Sequence, residues 1–180
     1  MEKKEKYLVI DSDVIIHFIK GGGILQLHKI FAPLKIILLD KVSEELDRYK
    51  GNKTPANNLI NFKIVTLAKL SDYGMEVEKE YLHIKKLQFK GDGESACMAV
   101  ARYDSNAIIA SSNIKDIYQY CKMHSLNYLT TMDFLCAAKE KNIFSADDCN
   151  KFIKTVIENG STLPVTKIED HQCRALEFTK

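Results

Sequence analysis

The sequence predicts an α/β fold, a three-layer sandwich in which a central, mostly parallel sheet lies between two layers of helices. Three observations lead to this expectation. Short apolar runs recur along the chain, a segment with helical periodicity follows each run, and Ser/Thr-x-x-acid signals mark where helices begin. Strands that alternate with helices in this way are typical of parallel sheets that are covered on both faces.

Four apolar runs have the length and composition of buried strands. They are Tyr7–Ile10, Lys35–Leu39, Ala107–Ala110 and the short Asn127–Leu129. The segment Phe62–Leu67 is also apolar, but its length fits either a strand or a buried helix, so its assignment stays open.

Local signals place the ends of several helices. The run Gly21-Gly22-Gly23 ends the first helix, and Met75–Leu87 predicts a charged amphipathic helix. The tetrapeptides TTMD at 130–133 and SADD at 145–148 have the form of a capping box, which predicts that a helix begins at each. Beyond Gly160 the pattern gives way to a polar tail.

Length and composition indicate one globular domain. The chain has 180 residues, 46% of them hydrophobic, which is enough to bury a core. We assign residues 1–144 to the main domain and residues 145–180 to a C-terminal helix and tail that pack on the same domain. The 26 basic and 24 acidic residues are interspersed and give a net charge of +2, so any basic surface must be made by the fold.

The sequence predicts a cytoplasmic protein with no membrane anchor. No run of about 18 uncharged apolar residues is present to span a bilayer, and the first apolar stretch ends at Asp11, too early for a secretory signal. The cysteines form an odd set, lie far apart and include no C-x-x-C pair. We expect them to be reduced thiols, mostly buried in helices: Cys97, Cys121, Cys136, Cys149 and Cys173.

Polar side chains follow two of the predicted strands. Asp11 and Asp13 come directly after the first strand, and Asn113 and Asp116 follow Ala107–Ala110. Asn113 and Asp116 are three residues apart and share a helical face. Because ligands of open parallel sheets bind at the carboxyl ends of the strands, we expect these side chains to converge in one crevice.

Two glutamates at predicted helix starts are further candidates. Glu94 lies in the segment GDGESACMAVA, and Glu44 and Glu45 lie in DKVSEELDRYK. At 100° per residue, Val42 and Leu46 share the buried face of their helix, which places Glu45 at the edge of that face and Glu44 in solvent. Glu45 is therefore the better candidate.

Taken singly, each acid has an ordinary explanation as a helix cap, a first-turn acid or a solvated charge. Capping does not require one acid from each of four separate positions, whereas a divalent cation does. Crowded carboxylates repel one another unless a cation neutralises them. Oxygen ligands without a His/Cys cluster favour Mg²⁺ or Mn²⁺ over zinc, and such an ion promotes phosphodiester hydrolysis.

These motifs resemble those of the PIN-domain nucleases. The resemblance lies in VIDSDVII, in VSEEL, and in GDGESACMAVA followed by IIASSNIKDI, and it covers Lys6 to Ile143. It implies that the metal ligands are Asp11, Glu45, Glu94 and Asp116. The supporting polar residues would then be Ser12, Asp13, Ser111 and Asn113.

The same resemblance implies RNA as the substrate and, for small bacterial members of the family, a role as the toxin of a toxin–antitoxin pair, with a small antitoxin protein as partner. The chain departs from the family pattern at two positions. Glu94 stands where many members have aspartate, and Asn113 stands where many have a second aspartate. The second change removes a negative charge from the proposed metal site.

Three other interpretations stay open. A haloacid-dehalogenase-like phosphatase would use Asp11 as nucleophile and Asp13 as acid/base, but Val14-Ile15 replaces the glycine-threonine that commonly follows. A catalytically inactive PIN-like module that binds nucleic acid or protein is suggested by Asn113. The third interpretation makes a phosphate cradle of the run Gly21-Gly22-Gly23. This run follows a helix, however, and lacks the lysine and the preceding strand of a P-loop.

Contact with RNA is expected from basic residues that flank the proposed crevice in the sequence. These are Lys20, Lys90, Arg102 and Lys115. A homodimer is also compatible with the sequence.

Overall fold

The computed structural model describes residues 5–48, 55–88 and 91–179. In this part of the chain five parallel strands form one sheet in the order β3-β2-β1-β4-β5. The expected α/β class with a central parallel sheet is confirmed. The strands are β1 Tyr7–Ile10, β2 Lys35–Leu39, β3 Thr66–Ala68, β4 Ala107–Ala110 and β5 Tyr128–Leu129.

The position of each strand in the sheet explains how clearly its sequence predicted it. Central strands β1 and β4 are buried almost throughout, so they read as continuous apolar runs. Strand β3 lies at the edge of the sheet, where Thr66 and Leu67 are exposed. This strand occupies part of the segment whose assignment the sequence left open.

Helices connect and cover the strands. Helix α6 packs against β1 and β4 and contacts α3, α5 and α7, while α1 packs with α9 and α8 packs with α2 and α9. In the described residues the α-helices are α1 Ser12–Lys20, α2 Leu27–Ile30, α3 Asp40–Arg48, α4 Pro55–Asn61, α5 Met75–Gln88, α6 Asp92–Tyr103, α7 Ile114–His124, α8 Thr131–Glu140 and α9 Ala146–Glu158. Not one of them is long and apolar enough to cross a membrane.

The expected helix ends are confirmed. Thr130 and Ser145 each cap a helix through a capping box, in which Asp133 and Asp148 return a carboxylate oxygen to the backbone N–H of the cap residue. Helix α1 ends at the glycine run, where a Cβ on Gly21 would lie 2.3 Å from the ring of Phe152. Close packing of α1 on α9 therefore requires glycine at this turn.

The C-terminal segment packs on the same body as the sheet. Phe152 of α9 contacts Phe18 of α1 at a ring separation of 5.1 Å, and Ile168 of the tail is buried. Near the end of the chain, the Lys6 ammonium donates a hydrogen bond to the carbonyl oxygen of Phe178. The tail thus returns to the amino-terminal end of β1.

The expectation that all five cysteines are reduced thiols is wrong. Cys136 of α8 and Cys173 of the tail form a disulfide, whereas Cys97, Cys121 and Cys149 are free and buried. The bonded pair is separated by 37 residues and meets only because the tail folds back across α8. Spacing along the chain gave no signal of this contact.

Candidate functional site

Asp11 lies at the carboxyl end of β1 and caps α1. Its backbone N–H donates to the Ala110 carbonyl at the end of β4, and its Oδ1 accepts from the Ser12 N–H at 2.7 Å. The Ser111 hydroxyl donates to Oδ2 at 3.1 Å. Asp11 is only 4% exposed, so its carboxylate is both buried and held in one orientation.

Asp13 joins the start of α1 to the turn that follows β4. Its Oδ1 accepts from the Val14 N–H at 2.6 Å, and its Oδ2 accepts from the Ser112 N–H at 2.7 Å. Each oxygen of this carboxylate therefore takes a backbone hydrogen. The sequence predicted only a supporting role for Asp13, and the contacts show that this support extends across two strand ends.

Glu45 and Asp11 face one point in front of α6. The Gly93 N–H donates to Glu45 Oε1 at 2.9 Å, and the Ser12 hydroxyl donates to Oε2 at 3.1 Å. A Cβ on Gly93 would lie 2.7 Å from Glu45 Oε2 and 2.8 Å from Asp11 Oδ1. Glycine at this position therefore allows both carboxylates to approach the start of α6, where any side chain would collide with them. Glu44 is instead exposed, close to Lys41 and Arg48.

The Asn113 side chain connects the other two predicted ligands. Its amide nitrogen donates to Glu94 Oε2 at 3.1 Å and also to Asp116 Oδ2. Glu94 Oε1 accepts from the Gly91 N–H at 2.8 Å, which fixes this side chain at the start of α6. An amide oxygen in place of the nitrogen would face two carboxylates, so the hydrogen-bond network determines the orientation of the Asn113 amide.

Burial and like charges raise the pKa values of the aspartates. Burial, and then the Asp13 carboxylate, hold the pKa of Asp11 well above its usual range, and Glu45 and Glu94 add to the effect. Burial, followed by the charge of Glu94, raises the pKa of Asp13 to about 6, against the opposing hydrogen bonds from Ser112 and Val14. The cluster therefore favours a proton or a cation as counter-charge.

The donor set fits a hard divalent cation. Carboxylate oxygens are hard ligands, and in the absence of His or Cys ligands they favour Mg²⁺ or Mn²⁺ over zinc. Asp11 and Glu45 are the pair that faces one point, and Glu94 and Asp116 are held beside Asn113. Within residues 5–48, 55–88 and 91–179, no three His, Cys, Asp or Glu side chains are already close enough to hold one metal ion.

A buried hydroxyl chain behind the carboxylates was missed by sequence reasoning. The Ser112 hydroxyl donates to Thr131 Oγ1 at 2.7 Å, and Thr131 Oγ1 lies 2.8 Å from His17 Nδ1. Burial, and then the nearby Lys20, lower the pKa of His17 to about 4. The ring is therefore neutral. Because the Ser112 hydroxyl donates to Thr131 Oγ1, the hydrogen of Thr131 is directed to Nδ1 of His17, which then accepts it. This chain fixes the turn that holds Asp13. The capping motif pointed to the neighbouring Thr130 and not to Thr131, and nothing local marked His17 as its partner.

A cationic group beside the site was also missed. Asp92, at the first turn of α6, accepts a hydrogen bond from the Tyr81 hydroxyl at 2.7 Å and forms ion pairs with Lys85 and with Arg48 at 3.4 Å. The hydrogen bond from Lys85, and then the one from Tyr81, lower the pKa of Asp92. The charges of Lys85 and Arg48 lower it further. Lys85 and Arg48 thus contact Asp92, the residue directly before Gly93 in the chain.

The predicted nucleic-acid contacts are scattered. Lys20 and Arg102 lie eight residues of helix, or about 12 Å, from Ser12 and Glu94 respectively, at the far ends of α1 and α6. Lys20 donates to the Ser161 hydroxyl and Arg102 lies over the Tyr103 ring. Lys115 is exposed next to Asp116, and Lys90 lies outside the described residues.

The arrangement combines four buried or half-buried carboxylates, one amide and nearby cations at the carboxyl edge of a parallel sheet. Comparison of the chain with models of known protein families and with curated proteins finds no match. Function is therefore inferred from the chemistry of the site.

Proposed function

We propose that this protein is a divalent-metal-dependent nuclease of the PIN-domain type that hydrolyses RNA phosphodiester bonds. The observation that carries the proposal is the convergence of the Asp11 and Glu45 carboxylates at Gly93, where a Cβ would lie within 2.8 Å of an oxygen of each. Carboxylates that crowd together in a buried position repel one another, which favours a cation as their counter-charge. Glu94 and Asp116, which both accept from the Asn113 amide, would supply further oxygen ligands.

Each side chain has a separate task in this proposal. Asp11, Glu45, Glu94 and Asp116 would hold Mg²⁺ or Mn²⁺, and the ion when bound lowers the pKa of water and neutralises charge on the phosphodiester. The Ser12 N–H and the Ser111 hydroxyl orient the Asp11 carboxylate, and the Gly93 N–H orients Glu45.

Arg48 and Lys85 lie beside the start of α6, within 4 Å of Asp92. Their positive charges would attract the phosphates of RNA toward an otherwise acidic crevice. Lys115, exposed in the first turn of α7, would add a contact on the opposite side of Asn113.

A phosphatase mechanism gains no support from the contacts of Asp13. An acid/base residue must exchange a proton with substrate, but both oxygens of Asp13 already accept backbone hydrogens from Val14 and Ser112. Its role in the proposal is to position the turn after β4.

A catalytically inactive binding module is the second candidate, because Asn113 is part of the site. Its amide donates to both Glu94 and Asp116, so it supplies hydrogen atoms where a cation would supply positive charge. On this alternative the protein would bind RNA or another protein without cleavage. Asn113→Asp would then be the change that creates metal-dependent cleavage.

We further propose that the protein acts in the cytoplasm as the toxin of a toxin–antitoxin pair, with a small antitoxin as partner and a homodimer as its assembly. A short reading frame next to the gene, whose product relieves growth arrest caused by this protein, would support that role. Growth that is unaffected by expression of the active protein would contradict it.

The nuclease proposal is tested with purified protein and labelled single-stranded RNA. Cleavage should require Mg²⁺ or Mn²⁺, cease in EDTA, and fall in Asp11→Asn and Glu94→Gln, which remove charge but keep shape. Asp147→Asn, which changes an exposed acid on α9, serves as the matched control and should retain activity. Cleavage that resists both EDTA and Asp11→Asn would contradict the proposal.

A further inference from the structure

A cavity lies at the far end of α1, away from the acidic cluster. It has a volume of about 670 Å³ and is formed by the glycine turn after α1, by α2 and by α9. Its walls include Lys20, Lys29, Phe144, Lys151 and Phe152. A cavity of this volume is within the usual range for small-molecule sites, roughly 300–1,000 Å³.

The wall carries a clear excess of positive charge. Lys20, Lys29 and Lys151 all line the cavity, and Lys20 donates a hydrogen bond only to the neutral Ser161 hydroxyl. Among the residues that the structure describes, neither Lys29 nor Lys151 has a carboxylate within the 4.0 Å limit of an ion pair. Three lysines that line one concavity favour an anion.

The one acid of the wall does not neutralise these lysines by direct contact. Asp148 Oδ2 accepts hydrogen bonds from the backbone N–H and the hydroxyl of Ser145 at 2.9 and 2.7 Å. Asp148 is therefore engaged in the capping box of α9. The cavity retains an excess of two positive charges over this carboxylate.

The glycine turn shapes the cavity but does not supply its anion donors. The N–H groups of Gly21, Gly22 and Gly23 all donate to carbonyl oxygens of α1. Gly22 has φ of +74° and nothing within 4 Å of a Cβ position, so the rim is open there. A bound anion must therefore meet the lysine side chains and not a backbone cradle of the P-loop kind.

Aromatic side chains provide an apolar part of the same wall. The Phe144 and Phe152 rings lie with centroids 6.4 Å apart, and the Phe144 ring edge is 3.0 Å from the Cβ position of Gly23. Phe144 is half-buried, so part of its ring remains open to a ligand. A ligand with an anionic end and a flat apolar end would match both parts of the wall.

We propose that this cavity binds a phosphate-bearing small molecule of nucleotide size, with its phosphates against Lys20, Lys29 and Lys151 and its ring against Phe144. The proposal does not depend on nuclease activity. The two sites lie at opposite ends of α1, because Asp11 caps the start of this helix and Lys20 ends it.

The test uses ADP as probe, with calorimetry and thermal denaturation in EDTA, so that no metal can bridge a nucleotide to the acidic cluster. ADP should bind and raise the melting temperature, and adenosine should not. The double variant Lys29→Gln/Lys151→Gln should weaken ADP binding by about tenfold or more, as expected for two lost charge contacts. Both residues are exposed, so the variant should melt at the wild-type temperature without ligand.

Lys115→Gln/Lys122→Gln changes two exposed lysines of α7 and is the matched control that should bind ADP as wild type does. Absence of ADP binding at millimolar concentration would overturn the proposal. Equal loss of ADP binding in both double variants would also overturn it. Lysine-dependent binding of a short RNA in place of ADP would assign the surface to nucleic acid and overturn the small-molecule proposal.

Discussion

Gly93→Ala is the sharpest perturbation of the candidate site, because it adds one methyl group at the point that two carboxylates face. The new Cβ would lie 2.7 Å from Glu45 Oε2, 2.8 Å from Asp11 Oδ1 and 3.1 Å from Val42 Cγ2. To reach an ordinary contact of 3.4 Å, each oxygen must move by roughly 0.6 Å, about three times the ±0.2 Å within which metal–ligand distances are held.

The effect on stability should be modest and the effect on function large. Overpacking costs about 1–3 kcal/mol, and the better helix propensity of alanine returns up to about 1 kcal/mol. We therefore expect a net loss of about 0–2 kcal/mol, or at most roughly 8 °C in melting temperature for a chain of this size. RNA cleavage should fall by about 100-fold, as for a misplacement of this order at reacting groups.

The assay compares Gly93→Ala with Gly22→Ala in thermal denaturation, with and without magnesium, and in RNA cleavage. Gly22 has φ of +74° and lies far from the carboxylates, so its replacement should cost about 1 kcal/mol of stability or more while cleavage persists. If Gly93→Ala is as stable as wild type, keeps the magnesium effect and keeps full cleavage, the carboxylates do not act together at this point.

Three further predictions concern the carboxylates, the buried histidine and the tail. Without metal, Asp11→Asn should be neutral or stabilising, since it removes repulsion between carboxylates. Millimolar magnesium should raise the melting temperature of wild type more than that of this variant. Equal effects of magnesium on the two proteins would speak against a metal at Asp11. The pKa of His17 is lowered to about 4, so the unfolded chain takes up a proton first, and the His17 contribution to stability should fall by up to about 3 kcal/mol as pH drops from about 6.5 to 4. The raised pKa values of Asp11 and Asp13 act in the opposite direction in this range, so the His17 contribution is measured as the difference between wild type and His17→Gln. His17→Gln keeps an acceptor for Thr131 without this titration, and an unchanged pH dependence of its unfolding free energy would contradict the assignment. Reduction of the Cys136–Cys173 disulfide, which spans 37 residues, should lower the free energy of unfolding by about 3–4 kcal/mol. Cys173→Ser cannot form this bond, so reductant should not change its melting temperature.

The sequence predicted what depends on local pattern. Strands β1 and β4 were recognised because they are buried on both faces, and the choice of Glu45 over Glu44 followed from helix geometry that the structure reproduces. Strand β3 was left open because the apolar segment Phe62–Leu67 fits a strand or a buried helix equally well, and only the last two residues of this segment enter the strand.

Contacts between distant parts of the chain could not be predicted. His17 meets Thr131 across 114 residues, and no local motif marks a histidine in an apolar helix as a hydrogen-bond acceptor. The importance of Gly93 depends on where Asp11 and Glu45 arrive after folding. Arg174 of the tail, which pairs with the buried Asp133 at 2.7 Å, was likewise invisible in a segment that reads as a polar tail.

The disulfide encloses α9 in a covalent ring that runs from Cys136 to Cys173. A protease that cuts one peptide bond between these residues releases no fragment, because the two pieces remain joined through sulfur. Electrophoresis of digested protein with and without reductant therefore separates cuts inside the ring from cuts elsewhere. Helix α9 can therefore be cut once by a protease and still stay attached to the rest of the protein through the disulfide.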